Sequence, residues 1–125
     1  MNILKTNIKD NDWNMETAFN LFESDSRIPM KEAAGKTLTV SQYVIYEDEN
    51  SNGDMVKLAS IATEDSVYTT SSASFIRSLE KLHDLAERCG EPLSTIRVYE
   101  QKSTRNGRMF LNCAYVKECY STPRM

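Results

Sequence analysis

Ser66-Val67-Tyr68-Thr69-Thr70-Ser71-Ser72-Ala73-Ser74-Phe75-Ile76-Arg77-Ser78-Leu79-Glu80-Lys81-Leu82-His83-Asp84-Leu85-Ala86-Glu87-Arg88-Cys89-Gly90-Glu91-Pro92 is the stretch on which the fold turns. Its first five residues are β-branched or aromatic apart from Ser66 and read as a short strand, 66–70. Phe75, Leu79, Leu82 and Ala86, with Ile76 beside them, then recur at helical spacing and predict one amphipathic helix over 72–89. Ser71 or Ser72 can cap its start. Arg88, Gly90 and Pro92 form a stop signal: a cation in the last turn, a residue suited to the left-handed cap, then one that cannot continue the helix. His83 lies near the edge of the stripe and reads as a surface or boundary residue, not as a ligand or base.

Two strands precede this unit and two follow it. Residues 38–46 carry Leu38, Val40, Val44 and Ile45, whose alternation shifts phase near Ser41-Gln42. Such a shift marks a bulge that lets a long first strand serve both sides of a small barrel. Residues 47–54 are acidic and turn-rich and read as a hairpin loop, followed by a strand over 55–63. Beyond the helix, 96–102 alternates Ile96 and Val98 against Arg97 and Tyr99. Asn106-Gly107 is a strong turn pair, and 108–116 reads as a mostly buried last strand. Five strands with one helix between the third and fourth is the order of an OB-fold, a Greek-key β-barrel that binds single-stranded nucleic acid or oligosaccharide. The predicted class is thus mainly β, with a barrel over 35–117.

Residues 1–34 read as an N-terminal arm. Trp13, Met15, Ala18, Phe19 and Phe22 fit one face of a short helix with Asp12 as its N-cap. Leaving such side chains in water is costly, so the arm is expected to pack on the barrel, with a partner protein as its other use. Residues 118–125 read as a loose tail. The length of 125 residues suits one domain.

Composition narrows the functions. No apolar run is long enough to cross a bilayer as a helix, and the first residues lack the pattern of a signal peptide, so a cytoplasmic location is expected. Cys89, Cys113 and Cys119 are unpaired by spacing, and with one histidine they predict reduced thiols and no zinc site. Phosphate-cradling and metalloprotease motifs are absent. The reading is of a protein without catalysis or cofactor. A formal charge of −3 argues against a duplex reader, though not against a local basic groove.

Such a groove is legible in the second half. Binding single strands needs rings on which bases stack and cations along the phosphates. Arg97 and Tyr99 are two apart and so share a strand face. Lys102, Arg105 and Arg108 cluster at the following hairpin. From Arg97 to Arg108 the balance is +3, with Glu100 the one acid. Tyr43 or Tyr46, Lys57, Tyr68 and Phe110 extend the candidate patch.

Gly35-Lys36-Thr37-Leu38-Thr39-Val40, Tyr68-Thr69-Thr70-Ser71-Ser72 leading to Phe75, Gly90-Glu91-Pro92, and the basic stretch from Ser103 to Arg108 together form a pattern. Over residues 30–117 it resembles small phage-encoded single-stranded DNA-binding proteins. The resemblance implies an OB-fold replication accessory that coats displaced strands. It also implies a site at Tyr68, Arg97, Tyr99, Arg108 and Phe110. The chain departs from bacterial housekeeping single-strand binders, which end in an acidic tail with an apolar tip. The expected partner is single-stranded DNA, with a replication or host protein at the N-terminal arm. RNA binding, or a protein-interaction module that inhibits a host or defence protein, are the alternatives.

Overall fold

Val40 and Ser41 are neighbours whose amides serve different sheets. The Val40 N–H donates to the Ser94 carbonyl and the Ser41 N–H to the Ala62 carbonyl, both at 2.8 Å. The computed structural model, which describes residues 1–117, divides the expected first strand at this point. The elements are β1 (Asn2–Thr6), α1 (Met15–Phe22), β2 (Ile28–Pro29), β3 (Thr37–Thr39), β4 (Gln42–Glu49), β5 (Met55–Ala62), β6 (Val67–Thr70), α2 (Ala73–Cys89), β7 (Thr95–Lys102) and β8 (Met109–Tyr115). The bulge expected near Ser41-Gln42 is therefore a full change of sheet. β3 lies in a three-stranded sheet ordered β3-β7-β8, and β4 in a five-stranded sheet ordered β1-β4-β5-β6-β2.

The protein is mainly β, with two sheets and two helices, but the described residues form no closed barrel. Closure would need a ladder between β6 and β8. The free edge of β6 is instead taken by β2, which runs parallel to it in the register Ile28↔Tyr68 and Pro29↔Thr69. The middle of the free edge of β8 is met by side chains. Ser72 and Ser74 donate to the Leu111 carbonyl, Asn112 Oδ1 accepts from the Cys113 N–H, and Ser78 donates to the same oxygen. Each edge group taken in this way is one fewer for another strand to pair with. β8 was expected to be mostly buried. As an edge strand it buries only Cys113.

α2 matches its sequence signals closely. Ser72 is the N-cap, accepting from the Phe75 N–H. Gly90 is the C-cap at φ 68°, and its N–H reaches Ala86 and Glu87. Phe75, Ile76 and Leu79 fill the main core between the two sheets, together with Tyr43, Ile45, Ile61, Ile96 and Val98. On the opposite flank of α2, Glu80 and Asp84 lie one turn apart and take ion pairs from Lys57 at 3.2 Å and Lys5 at 2.7 Å. These pairs dock the helix on β5 and β1.

The N-terminal segment is more structured than an arm. β1 is an edge strand antiparallel to β4, with an irregularity between Ile3 and Lys5. α1 starts two residues later than expected. Asn14, not Asp12, caps it by accepting from the Thr17 N–H, and Asp12 sits in a 3₁₀ turn. The expected packing role is present for Trp13 and Phe22, but Met15 and Phe19, expected on the same packed face, are exposed because the helix turns Leu21 and Phe22 to the sheet instead. Leu21 and Ile8 form a second core with Val44 and Tyr46. Trp13 stacks on Phe22 at 5.7 Å, and Phe22 meets Tyr46 edge-on at 4.8 Å. Buried Ser60 donates to the Leu21 carbonyl at 2.7 Å. The five-stranded sheet is thus covered on both faces, which explains why Val44 and Ile45 are both apolar. A second 3₁₀ turn, Met30–Ala33, carries Met30 into the main core.

Strand β4 also runs further than expected, because the ladder with β5 continues through Glu47↔Lys57 and Asp48↔Val56 to Glu49↔Met55. The turn proper is 50–54. There Asn50 Oδ1 accepts from the N–H groups of Asn52 and Asp54, and Gly53 adopts φ 84°. The expected tail, 118–125, lies outside the described residues.

Removing residues 1–25 strips β1 from β4 and uncovers Val44 and Tyr46. Burying an aliphatic or aromatic side chain of this size is worth ~1.5–3 kcal/mol. The truncated chain is expected to lose several kcal/mol in urea unfolding followed by far-UV circular dichroism. A midpoint equal to that of the full chain would show that the segment does not hold the sheet together.

Candidate nucleic-acid interface

The ladder between β7 and β8 sorts the candidate residues by face. Residues directly opposite one another share a face, and the register runs Arg97↔Ala114, Tyr99↔Asn112, Gln101↔Phe110 and Lys102↔Met109. Ile96, Val98 and Cys113 point into the main core. Arg97, Tyr99, Gln101, Phe110 and Ala114 therefore lie on the outer face of the three-stranded sheet. Thr37 of β3 joins them, opposite Arg97. Tyr99 and Phe110 are diagonal neighbours, ~7–8 Å apart by the geometry of such ladders. Both are half-buried, while Arg97 and Ala114 are exposed.

The hairpin carries the remaining cations. The Ser103 N–H donates to the Arg108 carbonyl and the Gly107 N–H to the Ser103 carbonyl, closing a turn with Gly107 at φ 72°. Ser103 Oγ and Asn106 Oδ1 accept from the Arg105 and Arg108 N–H groups and fix the tip. Lys102 belongs by alternation to the opposite face, beyond the end of the core. Its Cε lies 3.7 Å from where a Cβ on Gly107 would sit, so it runs along the turn. Among the described residues the ion pairs are Lys5–Asp84 and Lys57–Glu80, so Arg97, Lys102, Arg105 and Arg108 keep their charges uncompensated at contact range.

Three other candidates are placed elsewhere. Tyr43 is 2% exposed and offers no ring for stacking. Its hydroxyl meets His83 Nδ1 at 2.6 Å, with the two rings edge-on. Burial, with Glu87 and Asp84 nearby, pushes the Tyr43 hydroxyl up to about 12. His83, read as a surface or boundary residue, is buried as the partner of this phenol. Lys57 is held by Glu80 on the α2 side. Tyr68 stands opposite Ile61 on the core face of the five-stranded sheet and packs partly against the main core. Tyr46, weighed as an alternative to Tyr43, is buried beneath Phe22.

Tyr68 does reach one opening. A cleft of about 700 Å³ lies between β3 and the β5–β6 turn, lined by Lys36, Thr37, Glu64, Asp65 and Tyr68 among others. Lys36 was not among the expected site residues. Its carbonyl accepts from the Val98 N–H, a pairing between residues 62 apart in sequence that no local pattern announces.

No three His, Cys, Asp or Glu side chains among the described residues are grouped to hold a metal ion, and no helix among them is long and apolar enough to cross a membrane. No family model matches the chain, and comparisons with curated proteins and with solved structures find no significant match.

The two buried acids near the core set an alkaline limit. Burial raises the Cys113 thiol to about 12, as it does the Tyr43 hydroxyl. The folded state holds both protons where the unfolded chain, with ordinary values of 9.0 and 10.0, releases them. Stability is full below those ordinary values and falls as pH rises toward 12. Urea midpoints measured from pH 8 to 11.5 are expected to decline, and Tyr43→Phe to decline less. In the native protein, alkylation mapped by mass spectrometry is expected at exposed Cys89 and not at buried Cys113. Equal labelling of the two would contradict this packing.

Proposed function

We propose that the protein binds single-stranded DNA without sequence preference, on the outer face of the β3-β7-β8 sheet. The observation that carries the reading is the alignment of Arg97, Tyr99 and Phe110 on one sheet face, uncovered among the described residues, that leads to a hairpin bearing Lys102, Arg105 and Arg108. Bases stack on Tyr99 and Phe110, each such contact contributing ~1–3 kcal/mol. The arginines and Lys102 neutralise phosphates. The acidic β4–β5 hairpin repels the backbone and confines the strand to this side.

The strand order supports an OB-type reading of the fold. Taking β3 and β4 as one bent strand, the neighbours run β6-β5-β4 and then β3-β7-β8, the order of a five-stranded Greek-key barrel with its last seam unlaced. With the resemblance to phage single-strand binders, this points to a replication accessory that coats displaced strands. The function requires no catalysis and no cofactor.

A second reading, a protein-interaction module, draws on α1. Met15 is 85% exposed and Phe19 55%, on the side of the helix away from the second core. A double substitution of these two by serine separates the readings, since it removes a partner contact and leaves the β7–β8 face intact.

The direct test titrates the protein with a poly-dT oligonucleotide and follows tyrosine and tryptophan fluorescence at several salt concentrations. Saturable quenching that weakens with salt is expected, with RNA and duplex DNA run alongside. Replacing Arg97, Arg105 and Arg108 together by glutamine is expected to reduce the slope of log K against log salt by about 2, at ~0.7 per phosphate contact. Binding unchanged in the triple variant would refute the placement, and tighter binding to RNA would reassign the ligand.

A further inference from the structure

We infer that the cleft between β3 and the β5–β6 turn is a base-reading subsite that takes a nucleobase with adjacent hydrogen-bond donors, guanine before the others. The inference rests on the nucleic-acid reading above and adds a preference at one position of the bound strand. The cleft has the volume of a small-ligand pocket, about 700 Å³. Its charges are arranged at opposite margins. Lys36 lines it beside Thr37, and Thr37 faces Arg97 across the ladder. Glu64 and Asp65 line the other margin. Neither acid pairs with Lys36 within contact range, since the ion pairs among the described residues lie elsewhere. Cation and carboxylates thus share one cavity with a gap between them that a ligand can bridge.

The chemistry of such a ligand follows from the margins. A phosphate suits Lys36. A carboxylate accepts hydrogen bonds and donates none, so the group opposite must present N–H donors. Guanine offers N1–H and the N2 amino group side by side, a match for two oxygens of one carboxylate. Cytosine and adenine offer an amino group alone, and thymine opposes its carbonyl oxygens to the carboxylates. Tyr68 supplies a ring against which the base lies. Its hydroxyl makes no hydrogen bond within the described residues and is left for the ligand. The turn carrying the acids is held by Thr63, whose Oγ1 accepts from the Ser66 N–H and donates to the Ser66 carbonyl. The carboxylates take no part in that turn, so they can be altered without loosening it.

The test is an amide-resolved NMR titration of the intact protein with dGMP and, separately, dTMP. Expected are shifts at Lys36, Tyr68 and residues 64–66 with dGMP, and binding about tenfold weaker for dTMP, the loss of a charge-assisted hydrogen bond. The isosteric pair Glu64→Gln with Asp65→Asn is expected to abolish the difference. Equal affinity for the two nucleotides, or shifts confined to other surfaces, would overturn the subsite. A poly-dT titration run in parallel keeps the two readings apart. Shifts at Arg97, Tyr99 and Phe110 with poly-dT but none in the cleft with dGMP would refute the subsite and leave the strand-binding face standing. Docking of dGMP without any response to poly-dT would support the cleft and refute the strand-binding face.

Discussion

Everything in this fold hangs on the change of sheet at Val40-Ser41. Two consecutive amides hydrogen-bond to carbonyls of β5 and of the segment before β7. One continuous stretch of chain therefore holds both sheets, and the main core fills the angle between them. Because the three-stranded sheet is fixed by this junction and by α2, its outer face needs no covering element. The five-stranded sheet differs, with a helix on its outer face and the main core on its inner one. Among the described residues, the contrast leaves one sheet face uncovered, the one with Arg97, Tyr99 and Phe110.

The missing β6–β8 seam has a physical cause. β6 has four residues, and β2 already satisfies part of its free edge. Leu111 and Cys113 on the β8 edge find side-chain partners from α2 and Asn112. With both edges partly taken, a further ladder would recover fewer hydrogen bonds. α2 thus does more than fill the core. Its first turn stands where a closing strand would, and its Glu80 and Asp84 hold β5 and β1 on the other flank.

Charge is partitioned in the same way. From Arg97 to Arg108 stand four cations and one acid, so a chain of net charge −3 carries a local excess of positive charge. Local potential, not the total, governs attraction of a polyanion. Ser103 Oγ and Asn106 Oδ1 are committed to the turn rather than to the hairpin cations.

The sequence by itself determined those features that depend on neighbours in the chain. α2 with its serine cap and Gly90 stop, the β7–β8 hairpin with its glycine at positive φ, the break near Ser41, and the shared face of Arg97 and Tyr99 all follow from local periodicity and turn chemistry. The tertiary structure alone decided what depends on contacts between distant residues. Tyr43 and Tyr68 look alike in sequence, each a tyrosine on a strand, yet one is sealed against His83 and the other opens on a cleft. β1 was invisible because Asn2-Ile3-Leu4-Lys5-Thr6 is a strand only in the presence of β4. Thr37 and Arg97 meet through a β3–β7 ladder between residues some sixty positions apart. Long-range pairing pays its ordering cost only when the whole sheet assembles, so no short window of sequence carries its signature.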